Sequence, residues 1–156
     1  MNTPTKRDAF RRLSAIHIAT VIDVGVAAQT ESLISAFPDA LHLLIEPDAK
    51  WFAMYPDTYA SVRHVVHAMS ADETTRIDSL PVVGPALLKV DVDGGEIAVL
   101  RGTAGVLDQV AVLVVEATAD SICAIVQFAT EHRFRLFDLV ELCYCGNQLH
   151  QCDLIF

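Results

Sequence analysis

No stretch of this chain approaches the roughly 20 consecutive apolar residues that a helix needs to cross a bilayer, although 53% of its residues are hydrophobic. The opening MNTPTKRDAFRRL has no apolar run behind its charges, so a secretory leader is not expected and cytoplasmic residence is the default. Positive charge is scarce as well. Against 20 Asp and Glu stand 11 Lys and Arg, a formal net charge of -9, and nucleic-acid binding, which needs clustered cations, is not expected. The one basic concentration, Lys6, Arg7, Arg11 and Arg12, reads as a solvated helix face. The four cysteines, Cys123, Cys143, Cys145 and Cys152, do not imply a disulfide framework in a cytosolic chain of this size. Three of them lie near His150, but Cys-x-Cys in a strand places two small side chains on one face, and no metal is assigned. The glycine fingerprint of dinucleotide sites is also missing. The turn after the first apolar run reads Gly25-Val-Ala-Ala-Gln-Thr30, which disfavours a pyrophosphate-binding Rossmann enzyme.

What the chain does carry is alternation. At 156 residues it suits one domain with its own core, expected over 1–156 with a helix within 1–18 packed on it. Short apolar runs alternate with amphipathic stretches, the pattern of an α/β fold whose mostly parallel sheet is flanked by helices. The spacing of Phe10, Leu13 and His17 predicts a helix over 5–18. Strands are expected at 19–23, 41–46, 61–66, 86–91 and 110–115. A helix near 30–37 would turn Leu33, Ile34 and Phe37 inward with Thr30 as its cap. Pro47 opens another, carrying Trp51, Phe52 and Tyr55. Further helices are expected after Gly94-Gly95 and over 120–132. Two last strands near 134–142 and 149–156 meet across Gly146-Asn147, which predicts an antiparallel hairpin.

Four strands run into a carboxylate: Asp23, Glu46, Asp91 and Glu116. In an open parallel sheet ligands collect beyond the carboxyl ends of the strands, where strand order reverses. An acidic rim there suits a cationic ligand that carries a ribose. Glu46 can accept from two vicinal hydroxyls, and Asp23 with a close-approach turn at Gly25 can hold an amino-acid end. Acids at strand ends also cap helices, but two of them on consecutive βα units favour a site. Lys89 is expected to point away from it, because alternation sets this side chain on the face opposite its neighbours.

Two segments resemble the FkbM methyltransferases. Residues 21–47, VIDVGVAAQTESLISAFPDALHLLIEP, are similar to the family's first cofactor motif and following strand. Residues 74–117, TTRIDSL…ALLKVDVDGGEIAVLRGTAGVL…VAVLVVEA, are similar to its hallmark block, a strand ending Lys-hydrophobic-Asp, then glycine, glutamate and a Leu-x-Gly helix. The tail from Gln151 to Phe156 resembles the closing strand. The resemblance implies a Rossmann-like class I methyltransferase sheet, mostly parallel, with an antiparallel C-terminal hairpin and helices on both faces. It implies S-adenosylmethionine as methyl donor and O-methylation of a sugar, glycolipid or secondary-metabolite hydroxyl. By position it implies cofactor binding by Asp23, Gly25, Glu46, Pro47, Met69, Asp72 and Asp91. Asp91, His67 and Glu96 become candidates for proton handling, His67 because its ordinary pKa lies near neutrality, and Asp93 a candidate for acceptor contact.

Two departures from the family pattern motivate an alternative. Gln29 stands where the first motif carries a second glycine, and the segment 67–73 is shorter than its counterpart. The alternative is a degenerate module that binds cofactor weakly or not at all and works through a protein partner. A homodimer or partner that completes a shallow site is left open.

Overall fold

The computed structural model describes residues 4–28, 30–70 and 76–156. The expectations at Gln29 and Asp72 lie outside these residues. Five parallel strands, β1 (Thr20–Val24), β2 (Leu41–Ile45), β3 (Arg63–His67), β4 (Ala86–Val90) and β5 (Val110–Thr118), are joined by an antiparallel pair, β6 (Asp138–Cys145) and β7 (Gln148–Ile155). Together they form one seven-stranded sheet in the order β3-β2-β1-β4-β5-β7-β6. The chain leaves β1 in one direction for β2 and β3, then crosses back to β4, so strand order reverses between β1 and β4.

Side-chain alternation assigns the two faces. Ile22, Val24, Leu88, Val90, Leu113 and Val115 pack under α4 (Glu96–Arg101) and α5 (Ile122–Glu131) through Val99, Leu100, Ile125 and Ala129. Val21, Leu87, Val112, Val114 and Ile155 face the other way, against Phe10 and Leu13 of the N-terminal segment and Leu33 and Phe37. Leu87 and Leu88 are both fully buried, and truncating either to alanine is expected to cost about 2–5 kcal/mol.

The expected helix over 5–18 is shorter. It is α1 (Lys6–Arg12), capped by Thr5, whose hydroxyl accepts from the Asp8 amide. Beyond Leu13 the chain turns, with Ile16 N–H donating to Leu13 O at 2.9 Å. This turn delivers Ile18 to the core and leaves His17 exposed rather than inward. The basic face is not uniformly solvated either. Arg7, Arg11 and Arg12 pair at the surface with Glu31, Asp8 and Asp138, whereas Lys6 turns in and meets Asp153 at 2.9 Å.

Thr30 stands at the N-cap of α2 (Glu31–Ala36) without a side-chain capping bond. The helix expected after Pro47 is split into a 3-10 turn, Ala49–Trp51, and α3 (Tyr55–Thr58). Pro56 lies in the first turn of α3 and has no N–H to continue a ladder from the preceding turn. Strand β5 runs past Val115 because β7 pairs with its last residues, Glu116 opposite Asp153 and Thr118 opposite Gln151. Glu116 therefore lies inside a strand. Cys143 and Cys145 are both exposed on the edge strand β6, where a register shift interrupts the pairing. No group of three His, Cys, Asp or Glu among the described residues is placed to hold a metal ion.

Candidate cofactor site

At the strand-order reversal the carboxyl ends of β1, β2 and β4 open onto a cavity of about 710 Å³, within the roughly 300–1,000 Å³ of small-molecule sites. Gly25, Glu46, Pro47 and Asp91 line it together with Lys6 and Lys89. The loop after β1 is shaped by Gly25, whose φ of +77° is open to glycine at no steric cost. A Cβ at Gly25 would stand 1.7 Å from the carbonyl oxygen of Asp91. Only a glycine lets the first loop close on the end of β4.

The next residues of that loop are held from the side of β2 and α3. Glu46 Oε2 accepts from Ala27 N–H at 2.9 Å, and Oε1 accepts from Asp48 N–H at 2.8 Å. Tyr55 donates its hydroxyl to Ala27 O at 2.8 Å, and Tyr59 accepts from Thr30 N–H at 3.2 Å. Both tyrosines are fully buried, and burial raises their phenolic pKa values, so they remain neutral. Each Glu46 oxygen accepts one of these backbone bonds, and a carboxylate oxygen has lone-pair room for a second. The acid can thus brace the loop and still accept from a diol in the cavity.

Lys89 corrects its expected orientation. Alternation does set it opposite Leu88 and Val90, but that face is the one where Asp23, Gly25 and Asp91 converge. Its ammonium lies 3.1 Å from Asp23 Oδ1, 3.2 Å from Asp91 Oδ2 and 3.2 Å from Gly25 O. The ammonium donates a hydrogen bond to Gly25 O and forms ion pairs with the two carboxylates, in a side chain only 3% exposed. Burial opposes the charge, but the Asp23 and Asp91 carboxylates outweigh it and hold Lys89 above its ordinary pKa. Asp23, at 1% exposure, is buried in this pairing and does not line the cavity. Through Lys89 it ties the end of β1 to Asp91 at the end of β4.

The remaining candidates are dispersed. His67 ends β3, in register with Ile45 of β2. Three inter-strand steps separate β3 from β4, roughly 14 Å at about 4.8 Å each, so His67 and Asp91 do not meet. Met69 packs on the sheet face beneath α4 and α5 and does not line the cavity. Glu96 is buried and accepts from Gly94 N–H at 2.8 Å, closing the turn before its own helix. Asp93, at φ +54°, lines the cavity.

Sequence reasoning missed Lys6, Lys89 and Trp51, all of which line the cavity. Lys89 had a signal: a charge inside an otherwise apolar strand is buried only when paired. Trp51, with Lys50 Nζ 4.8 Å from its ring centre, offers an aromatic face. Lys6 had no signal, because only the tertiary fold brings α1 to β7.

The donor set suits S-adenosylmethionine: a carboxylate for the ribose, a close-approach loop and Asp91 for the amino-acid end, and net acidity for a sulfonium cation. Comparisons with known proteins agree. The sequence matches the methyltransferase FkbM domain over residues 56–136, just over half of the chain. No curated protein matches it significantly. Among solved structures, the precorrin-6y C5,15-methyltransferase of Geobacter metallireducens is similar, with a TM-score of 0.63 at 13% identity over 96% of this chain and 84% of that one. Another is the N-methyltransferase NodS of Bradyrhizobium japonicum, at 0.58 and 14% identity, covering 97% and 93%. NodS in complex with S-adenosylhomocysteine matches at 0.56 and 14% identity, covering 97% and 84%. At these identities the structural likeness carries the fold, and the sequence match carries the family. The chain belongs to the FkbM family of methyltransferases, S-adenosylmethionine-dependent enzymes on the class I fold.

Proposed function

We propose that this enzyme methylates a hydroxyl oxygen on a sugar, glycolipid or secondary metabolite, with the cofactor in the cavity between β1, β2 and β4. The observation that carries the placement is the convergence of Gly25, Glu46 and Asp91 on one cavity. Bound there, S-adenosylmethionine supplies an electrophilic methyl group on a cationic sulfur. The chain's own residues do the rest. Glu46 accepts from the ribose hydroxyls through the lone pairs that Ala27 and Asp48 leave free. The Gly25 loop and Asp91 hold the amino-acid end, Pro47 shapes the wall beside Glu46, and Trp51 offers its ring to the adenine. Lys89 keeps Asp91 in place. Alignment supplies much of the rate of an in-line displacement, so rigid positioning of this kind is the main contribution expected of the protein.

In this reading Asp91 and Asp93 lie toward the acceptor, whereas His67 and Glu96 act on structure. The protein would work in the cytoplasm, and the mouth of the cavity would be covered by a large acceptor, a second copy or a partner protein. The test is calorimetric titration of the purified chain with S-adenosylmethionine and S-adenosylhomocysteine. Micromolar binding of both, followed by methyl transfer to a hydroxyl acceptor in a screen, is the expected result. A folded chain that binds neither would instead favour the degenerate module.

A further inference from the structure

The sheet carries a second row of acids that the cofactor does not account for. Val90 of β4 lies in register with Val115 of β5, so Asp91 and Glu116 follow as neighbours. Glu116 in turn lies opposite Asp153 of β7. The three carboxyl groups share the face of Val112, Val114 and Ile155, in the direction from which α1 approaches. Lys89 holds Asp91 at 3.2 Å from one side, and Lys6 holds Asp153 at 2.9 Å from the other. Between them Glu116 accepts from the Gln151 side-chain amide, and no cation among the described residues is paired with it. Asp153 is 3% exposed, and its Oδ1 is buried with no hydrogen-bond partner among the described residues. Asp91 and Lys6 line the cavity whereas Glu116 and Asp153 do not, so the row meets the site through Asp91, the strand neighbour of Glu116.

We propose that Glu116 takes the proton released by the methyl acceptor, with Asp91 beside it as a second carboxylate. The inference rests on the methyltransferase reading above. The acceptor oxygen forms its bond to the methyl carbon, the carbon–sulfur electron pair stays with sulfur, and the proton leaving oxygen ends on a Glu116 oxygen.

The surroundings suit this task. Among the described residues, Asp23, Asp91, Glu116 and Asp153 are faced by ion pairs from Lys6 and Lys89 alone, so the row carries a negative excess that favours holding a proton. Burial, then the Asp91 and Asp153 carboxylates, push the Glu116 carboxyl up to about 7, against the opposing pull of Lys6. A base poised near neutrality is well matched to proton abstraction. A cation bound in the cavity beside Asp91 favours the ionised form of Glu116. By reciprocity, ionised Glu116 favours the cation. Cofactor loading would thus arm the base, and a neutral thioether product would let it be reprotonated.

Two measurements test this. Carboxyl carbon NMR of the ligand-free chain, assigned with Glu116→Gln, is expected to show a Glu116 midpoint near 7. A midpoint in the ordinary glutamate range overturns the inference, whether or not any cofactor binds. Calorimetry at pH 7 in buffers of different ionisation enthalpy then counts protons. S-adenosylmethionine is expected to release up to about half a proton per chain, the fraction a group with that pKa still holds, and S-adenosylhomocysteine less. Glu116→Gln should abolish the difference while keeping affinity for S-adenosylhomocysteine within a few-fold. Equal proton release by both ligands, or a difference that survives in Glu116→Gln, overturns the inference. If neither ligand binds, the cofactor reading fails, and the NMR midpoint still decides the state of Glu116.

Discussion

With each Glu46 oxygen already accepting a backbone N–H, replacing this residue by alanine would unpair Ala27 and Asp48 as well as remove a ligand contact. Glu46→Gln reduces the first effect without removing it, because the amide retains shape and one acceptor but turns its NH2 toward the other backbone N–H. Charge-assisted hydrogen bonds are about twice as strong as neutral ones, so the glutamine variant is expected to bind S-adenosylhomocysteine about tenfold more weakly, or ~1.4 kcal/mol. Titration calorimetry beside a melting curve checks this; unchanged affinity would remove the ribose from Glu46. At this scale the sequence disclosed the acids but not their partners. Asp23, Glu46 and Asp91 were legible because each follows an apolar run. That Asp23 pairs with Lys89 was not, since alternation tells which neighbours share a face and is silent on which face the site occupies.

Among the elements, the loop between β1 and α2 carries the heaviest constraint. Gly25→Ala combines a left-handed backbone with a Cβ that meets Asp91 O at 1.7 Å. Gly146, at φ +61° in the hairpin turn, has open space around its missing Cβ. Alanine at Gly146 is expected to cost only the backbone term, about 1–2 kcal/mol. Alanine at Gly25 should cost more and also abolish S-adenosylhomocysteine binding, because the loop must move away from β4. Denaturant unfolding and ligand titration on the two variants make the comparison, and equal effects would deny the loop its role. The strands and the C-terminal hairpin were readable in advance, since buried strands announce themselves as apolar runs and Gly-Asn as a turn. The helices were less so. α1 is cut short where Ile18 must enter the core, and Pro56 divides the helix expected after Pro47; both reasons are tertiary or local exceptions to a periodic pattern.

For the whole molecule, a buried imidazole and a half-buried carboxyl oppose each other in pH-dependent stability. His42 is fully buried, donates Nε2–H to Phe37 O at 3.0 Å, and leaves Nδ1 without a hydrogen-bond partner among the described residues. Burial is the main cause that lowers its pKa below the ordinary 6.5, so below that pH the unfolded chain binds a proton the native one refuses. Stability attached to His42 is therefore full above 6.5 and is lost as pH falls. Glu116 acts in reverse. Its native carboxyl holds a proton from its ordinary 4.5 up to about 7, so its contribution is full below 4.5 and is lost as pH rises through 7. His42→Gln, which keeps a donor for Phe37 O, is expected to leave a chain whose stability declines more on raising the pH across this window than the wild type's does. Glu116→Gln is expected to show the opposite change. Melting temperatures from pH 4.5 to 7.5 read both, and slopes that shift in the same direction would refute the assignment.

The place of β7 in the sheet has a consequence for the order of assembly. β7 follows β6 in the chain but lies between β6 and β5, so β6 gains its place only once the later strand has docked. Pro4 O and the Lys6 amide are tied to Glu141, the latter bond spanning 135 residues, and Lys6 reaches Asp153 on β7 itself. On a ribosome, β1 to β5 can pair as they emerge. The row from Asp91 through Glu116 to Asp153, and the Lys6 wall of the cavity, must wait for the last strand, so a nascent chain acquires its parallel sheet before it acquires a finished site.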